Sequence, residues 1–222
     1  MKYMIHAVPS RMWYVTDFLV PSMVEQGIGR DEIQIWLDDK DAGNLKSCID
    51  SFKSLDTQAG GTWHLQDDVI ICRDFAERTK DAPERIICGY CCKNFEDTDS
   101  PGEQPATKMW FSFPCIHIPN PYAVEFADWF ILNAQFRKKY QDDLAEGKND
   151  DLFWRNYMRA KHPDAVVENL VPNLVDHVDY LLGGSIVNQG RPPETSRTAF
   201  WEDEDLVQDL ERRIAEYHNN QK

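Results

Sequence analysis

Trp63-His64-Leu65-Gln66-Asp67-Asp68-Val69-Ile70-Ile71 sets two adjacent acids inside an otherwise apolar, strand-like run. A carboxylate buried there without a partner is strongly penalised, so the pair marks either a strand end that opens onto solvent or a bound cation. In α/β proteins ligands gather at the carboxyl ends of strands, and the hard divalent cations that carry phosphates take oxygen ligands of this kind. A turn in which Asp67 and Asp68 only face water is the plain alternative. The apolar residues on both sides weigh toward a site.

On either side of this run strands and helices alternate. Tyr3 to Val8 reads as a first strand ending at Pro9, and Trp13 to Glu25 has apolar residues at helical spacing before Gly27 and Gly29. Ile33 to Leu37 alternates as a strand ending at Asp38-Asp39, and Asn44 to Phe52 reads as a helix. Phe75 to Lys80 predicts a short helix, Glu84 to Tyr90 a strand, Asn94 to Thr107 a polar loop, and Met109 to Phe113 a further strand. This order predicts an α/β fold, a mostly parallel sheet flanked by helices. Beyond it, Pro121 to Tyr140 and Asp150 to Ala160 read as helices, and Leu170 to Val187 as mixed short elements. Glu202 to Tyr217 reads as a packing helix with Leu206, Leu210 and Ile214 spaced by four. The expected organisation is an α/β half, residues 1–120, and a helical half of the same domain, residues 121–222.

A chain of 222 residues buries a sizeable core, and its net charge of -14 disfavours polyanions except at a local basic patch. The apolar runs are too short to span a bilayer, and the first residues do not make a signal peptide, so no membrane partner and a cytoplasmic location are expected. Of the six cysteines, Cys88 and Cys91 form a CxxC with Cys115 and His117 downstream, which admits a zinc site. Glu84 to Tyr90 reads as a strand rather than the helix start of a redox pair, and free thiols are the expected state.

Four segments carry a family resemblance: Val8-Pro9-Ser10-Arg11, the strand end at Asp38, Leu65-Gln66-Asp67-Asp68-Val69, and Pro172-Asn173-Leu174-Val175-Asp176-His177-Val178. Their order resembles that of nucleotide-sugar glycosyltransferases of the GT-A fold, above all phage-encoded glycosyltransferase-like proteins. More distantly it is similar to the lipooligosaccharide galactosyltransferases with their Glu-Asp-Asp signature. The resemblance implies a GT-A-like sheet with a helical C-terminal part, and a UDP-sugar or related donor. It also implies a divalent cofactor, Mn2+ or Mg2+, held by Asp68 and His177. Gln66 departs from the family's first acid, which leaves Asp67 to contact sugar or ribose. Val8, Pro9 and Arg11 fall where base and diphosphate pass, and Asp38 where uracil or ribose is held; Arg11 suits phosphate as a delocalised cation. Asp151, with Asp150 next, falls where inverting members carry their base.

Each assignment has a structural counterpart. Asp150 and Asp151 suit a helix start as cap and dipole partner, His177 suits a core or surface position hydrogen-bonded to a neighbour, and Asp38 suits a solvated turn. The acceptor is open. The phage resemblance admits a modified base in phage DNA, in a host cytoplasm, for which Arg137-Lys138-Lys139 and Arg155 to Lys161 are the most basic stretches. A non-catalytic α/β nucleotide-binding or interaction protein and the Cys/His zinc protein are the other readings.

Overall fold

The architecture comes from a computed structural model that describes residues 2–40, 42–80, 84–90, 102–105, 113–133, 150–184 and 204–220. The chain opens with β1 (Lys2–Ala7), a 3-10 turn (Pro9–Arg11) and a helical run made of α1 (Met12–Tyr14), a π-helical stretch (Val15–Leu19) and α2 (Val20–Glu25). Pro21 explains the irregularity. It lacks an N–H and would press on the carbonyl of Asp17 four residues back, where the wider π turn sits. Gly27, at φ +96°, ends the run, with Gly27 N–H on the Val24 carbonyl and Ile28 N–H on that of Met23.

β2 (Ile33–Leu37), α3 (Asn44–Lys53), β3 (Gly61–Gln66), β4 (Val69–Ile71), α4 (Phe75–Thr79) and β5 (Ile86–Cys88) follow. Next come β6 (Gly102–Pro105), β7 (Cys115–Pro119), α5 (Asn120–Leu132), α6 (Asp150–Lys161), β8 (Val166–Asn169), β9 (Val175–His177) and α7 (Glu204–Asn220). The main sheet has the order β2-β1-β3-β7-β5-β8-β6, with β6 and β7 running against the other five strands. The fold class is the expected α/β, as a mixed sheet. β4 leaves the sheet and pairs antiparallel with β9, Val69 opposite His177.

Of the expected strand Met109 to Phe113, residues 109–112 lie outside the described part and Phe113 stands in a turn; Cys115–Pro119, not expected from the sequence, is a strand antiparallel to β3. Within the expected polar loop, Gly102–Pro105 is an edge strand.

The core has two layers, one on each sheet face. Tyr14, Val15, Phe18 and Met23 of the first helical run, with Leu210 and Ile214 of α7, pack with Ile5, Trp63 and Leu65. Leu45, Ile49 and Phe52 of α3, Phe126 of α5 and Trp154 of α6 pack with Ile116 and Ile118 on the other face. Strand residues alternate between layers, as Ile86, Ile87 and Cys88 do. The β1-to-β2 and β2-to-β3 connections therefore lie on opposite faces, and β2 and β3 flank β1. That makes the gap between the carboxyl ends of β1 and β3 a topological switch point, where open α/β sheets bind ligands. Among the described residues no helix is long and apolar enough to cross a membrane.

Candidate functional site at the β1–β3 switch point

The turn after β1 places Arg11 and the turn after β3 places Asp67 and Asp68, so parallel pairing of these strands brings the three together. All are buried, at 5 %, 5 % and 9 % exposure. Arg11 Nη1 donates to Asp67 Oδ1 (3.1 Å) and to Asp68 Oδ2 (2.6 Å), and Nη2 donates to the Gly184 carbonyl (2.8 Å). The Val8 backbone N–H donates to Asp67 Oδ2 at 2.8 Å. The acids are thus neither a solvent-facing strand end nor a plain turn. They are a buried pair with a cation of the protein's own.

His177, from β9, enters from the other side with Nδ1 3.5 Å from Asp68 Oδ1, an ion-pair distance too long for a good hydrogen bond. Its ring meets Tyr90 edge-on at 5.1 Å. The β4–β9 ribbon sets this approach, and the Val178 N–H donates to the Asp68 carbonyl at 2.8 Å. Burial and the neighbouring Asp68 charge push the Asp67 carboxyl up from its usual range. Burial would raise Asp68 too, but His177 and Arg11 outweigh it and hold that carboxyl low. The pair titrates in two separated steps, as close carboxylates do.

Asp68 Oδ1 is buried without a hydrogen bond. Two donors sharing one hard cation at ligand distances of about 2.1 Å stand roughly 3 Å apart, so Asp68 Oδ1 and His177 Nδ1 fit a divalent ion with a small adjustment. They make half a site. No group of three His, Cys, Asp or Glu disposed for a metal occurs among the described residues, so such an ion would complete its shell with water and phosphate oxygens, as Mg2+ commonly does.

The other expected residues are placed as follows. Val8 acts through its backbone, and Pro9 is exposed at the start of the 3-10 turn. Asp38 follows β2 at the same sheet edge, and its carboxylate accepts the Ala42 and Gly43 N–H groups at 2.9 and 3.0 Å, forming the turn before α3. Gln66, half-buried, ends β3 opposite His6, with its N–H on the Pro114 carbonyl. Asp150 and Asp151 open α6, and their side chains lie outside the described residues. Arg137, Lys138, Lys139 and Cys91 also lie outside them. Cys88 and Cys115 pack in opposite core layers, so the zinc set expected from Cys88, Cys91, Cys115 and His117 does not close round one ion. His117 instead bonds the Arg85 carbonyl at 2.9 Å.

Sequence reading missed the closure of Arg11 over both acids and the part of Gly184. A cavity of about 350 Å3 lies elsewhere, between the first helical run, β4 and α7, lined by Phe18, Ile70, Arg73, Leu206, Leu210 and Arg213 among others. It does not include the acid pair.

No family model matches the chain, and no curated protein matches it in sequence. Among solved structures it is similar to the inositol-1-phosphate CTP transferase from T. maritima, at 9 % identity and TM-score 0.47 over 96 % of this chain and 95 % of that one. It is also similar to the galactosyltransferase LgtC. The Q189E active-site mutant gives 11 % identity and TM-score 0.40, and the complex with donor and acceptor sugar analogues gives 10 % and 0.38, each over 78 % of this chain and 88 % of LgtC. At these TM-scores and identities the likenesses carry no argument about activity, and the site is read from its own residues.

Proposed function

We propose that the chain is a glycosyltransferase that moves a sugar from a nucleotide-diphosphate sugar, a UDP-sugar first among them, to an acceptor hydroxyl. The observation that supports this is the meeting of Arg11, Asp67, Asp68 and His177 at the β1–β3 switch point. A sugar nucleotide needs cationic and N–H groups for its diphosphate and polar groups for ribose and sugar. In this reading Arg11 and the turn through Val8 and Pro9 meet the phosphates, Asp38 the ribose or base, and Gln66 and Asp67 the sugar side. Asp68 and His177 hold Mn2+ or Mg2+, which when bound neutralises the leaving diphosphate. Residues 1–120 take the donor and residues 121–222 the acceptor.

Asp151, with Asp150 beside it, is the proposed base that takes the acceptor's proton. A modified base in DNA is one acceptor in this scheme. It would need phosphate contacts from Arg137, Lys138 and Lys139, and a small saccharide would not. Calorimetric titration with UDP, GDP and their sugar conjugates, with and without Mn2+, tests the reading. Binding of at least one is expected. No binding by any of them, in either metal condition, would leave a non-catalytic α/β interaction protein.

A further inference from the structure

Two neighbouring buried carboxylates need a positive partner, and in this chain Arg11 is built in to supply it. Nη1 donates to both carboxylates and Nη2 to the Gly184 carbonyl, while the buried Nε makes no hydrogen bond. With Arg11 so engaged, a divalent ion approaching Asp68 and His177 meets a pair whose charge is already half cancelled, and also a guanidinium 2.6 Å from the carboxylate that it needs. A diphosphate reaching Arg11 has the opposite difficulty. It must draw the guanidinium off Asp68, which leaves buried negative charge for another cation to cover.

Each ligand therefore relieves the cost of the other. We propose that Arg11 is an internal counter-ion that makes divalent-ion and nucleotide binding interdependent. The ion binds tightly at Asp68 and His177 only when a diphosphate draws Arg11 away, and the diphosphate binds tightly only when an ion takes its place. This rests on the proposed nucleotide reading. Because coupling between two bound ligands is reciprocal, either one can be measured.

The test is Mn2+ binding followed by the electron paramagnetic resonance signal of the free ion, with Mn2+–UDP formed in solution subtracted. For the wild-type chain, saturating UDP is expected to tighten Mn2+ binding at least 10-fold. Arg11→Met, checked for folding by circular dichroism, is expected to bind Mn2+ at least 10-fold more tightly than wild type without nucleotide, and to respond less to UDP. A folded Arg11→Met with wild-type Mn2+ affinity would overturn the proposal. So would UDP that binds wild type without changing its Mn2+ affinity, and this second measurement decides the matter if the variant does not fold. If UDP does not bind at all, the nucleotide reading fails, and the Mn2+ affinity of Arg11→Met still shows whether Arg11 guards the ion site.

Discussion

Lowering the pH from 7.5 to 5 should destabilise this chain through histidines that play no part in the proposed chemistry. His6 Nε2 and His64 Nδ1 are 3.0 Å apart across β1 and β3, and their rings lie 6.5 and 4.8 Å from that of Phe52. One nitrogen of this bond must accept, so both rings cannot be doubly protonated. Burial lowers His6 to about 4, and lowers His64 well below its usual value with help from the charges of His6 and His117. Burial also lowers His117 to about 4, against the hydrogen bond to the Arg85 carbonyl.

These folded values lie below the unfolded one, so the stability is fully present above about pH 6.5 and is lost as pH falls toward 4. A histidine at about 4 folded and about 6.5 unfolded costs roughly 2 kcal/mol at pH 5, so His6 and His117 together cost about 4 kcal/mol. His64 adds to the loss. The raised Asp67 works against it, because it gains a proton in the folded chain as pH falls, but it is one group against three. Urea unfolding followed by tryptophan fluorescence at both pH values reads the difference. The expected loss is about 3–5 kcal/mol with an unchanged denaturant slope, reduced by about half or more in a His6→Phe, His64→Leu double variant. Equal or greater stability at pH 5 would refute the assignment of these rings, His64 and His117 buried and His6 half-buried, as neutral in the folded chain.

Trp154 is fully buried, with its ring 5.1 to 6.3 Å from those of Phe126, Tyr157, Phe52 and Phe113, and Trp154→Ala should cost about 3–5 kcal/mol in the same urea assay. Gly61 leaves no room for a Cβ against the His117 ring, so Gly61→Ala should cost about 1–3 kcal/mol of stability. Asp151→Asn should leave donor affinity intact by calorimetry and lower sugar transfer by roughly 10²-fold, the scale for loss of a general base. Full transfer activity would leave Asp151 a helix residue only.

The strands of the first half were readable because their patterns are local. Ile33–Leu37 alternates and ends at an acid, and the structure gives the same bounds. The acid pair was legible for a related reason: charge inside an apolar run has to be explained by something nearby. What covers it was not. Arg11 lies 56 and 57 residues from Asp67 and Asp68, and nothing in Pro9-Ser10-Arg11-Met12 distinguishes a buried arginine from a helix-start surface residue. Only the parallel pairing of β1 with β3 brings them together. The same limit explains β7: Cys115–Pro119 is set as a strand by antiparallel pairing with β3 and β5, contacts far away in the chain that its five residues do not signal. The approach of His177 to Asp68 depends on β4 leaving the main sheet to join β9, a switch that the apolar run through Ile71 does not signal.

The central claim is that the β1–β3 switch point holds a nucleotide diphosphate through these residues, and Asp68→Asn tests it most directly. Asn keeps the size of the side chain and can still accept from Arg11, but it removes the charge. The measurement is the calorimetric affinity for UDP in the presence of Mn2+, wild type against variant. The account predicts at least a 10-fold weaker affinity in the variant, with most of the Mn2+ dependence gone. An unchanged affinity with an unchanged Mn2+ response would place any nucleotide site away from Arg11, Asp67, Asp68 and His177 and contradict the account.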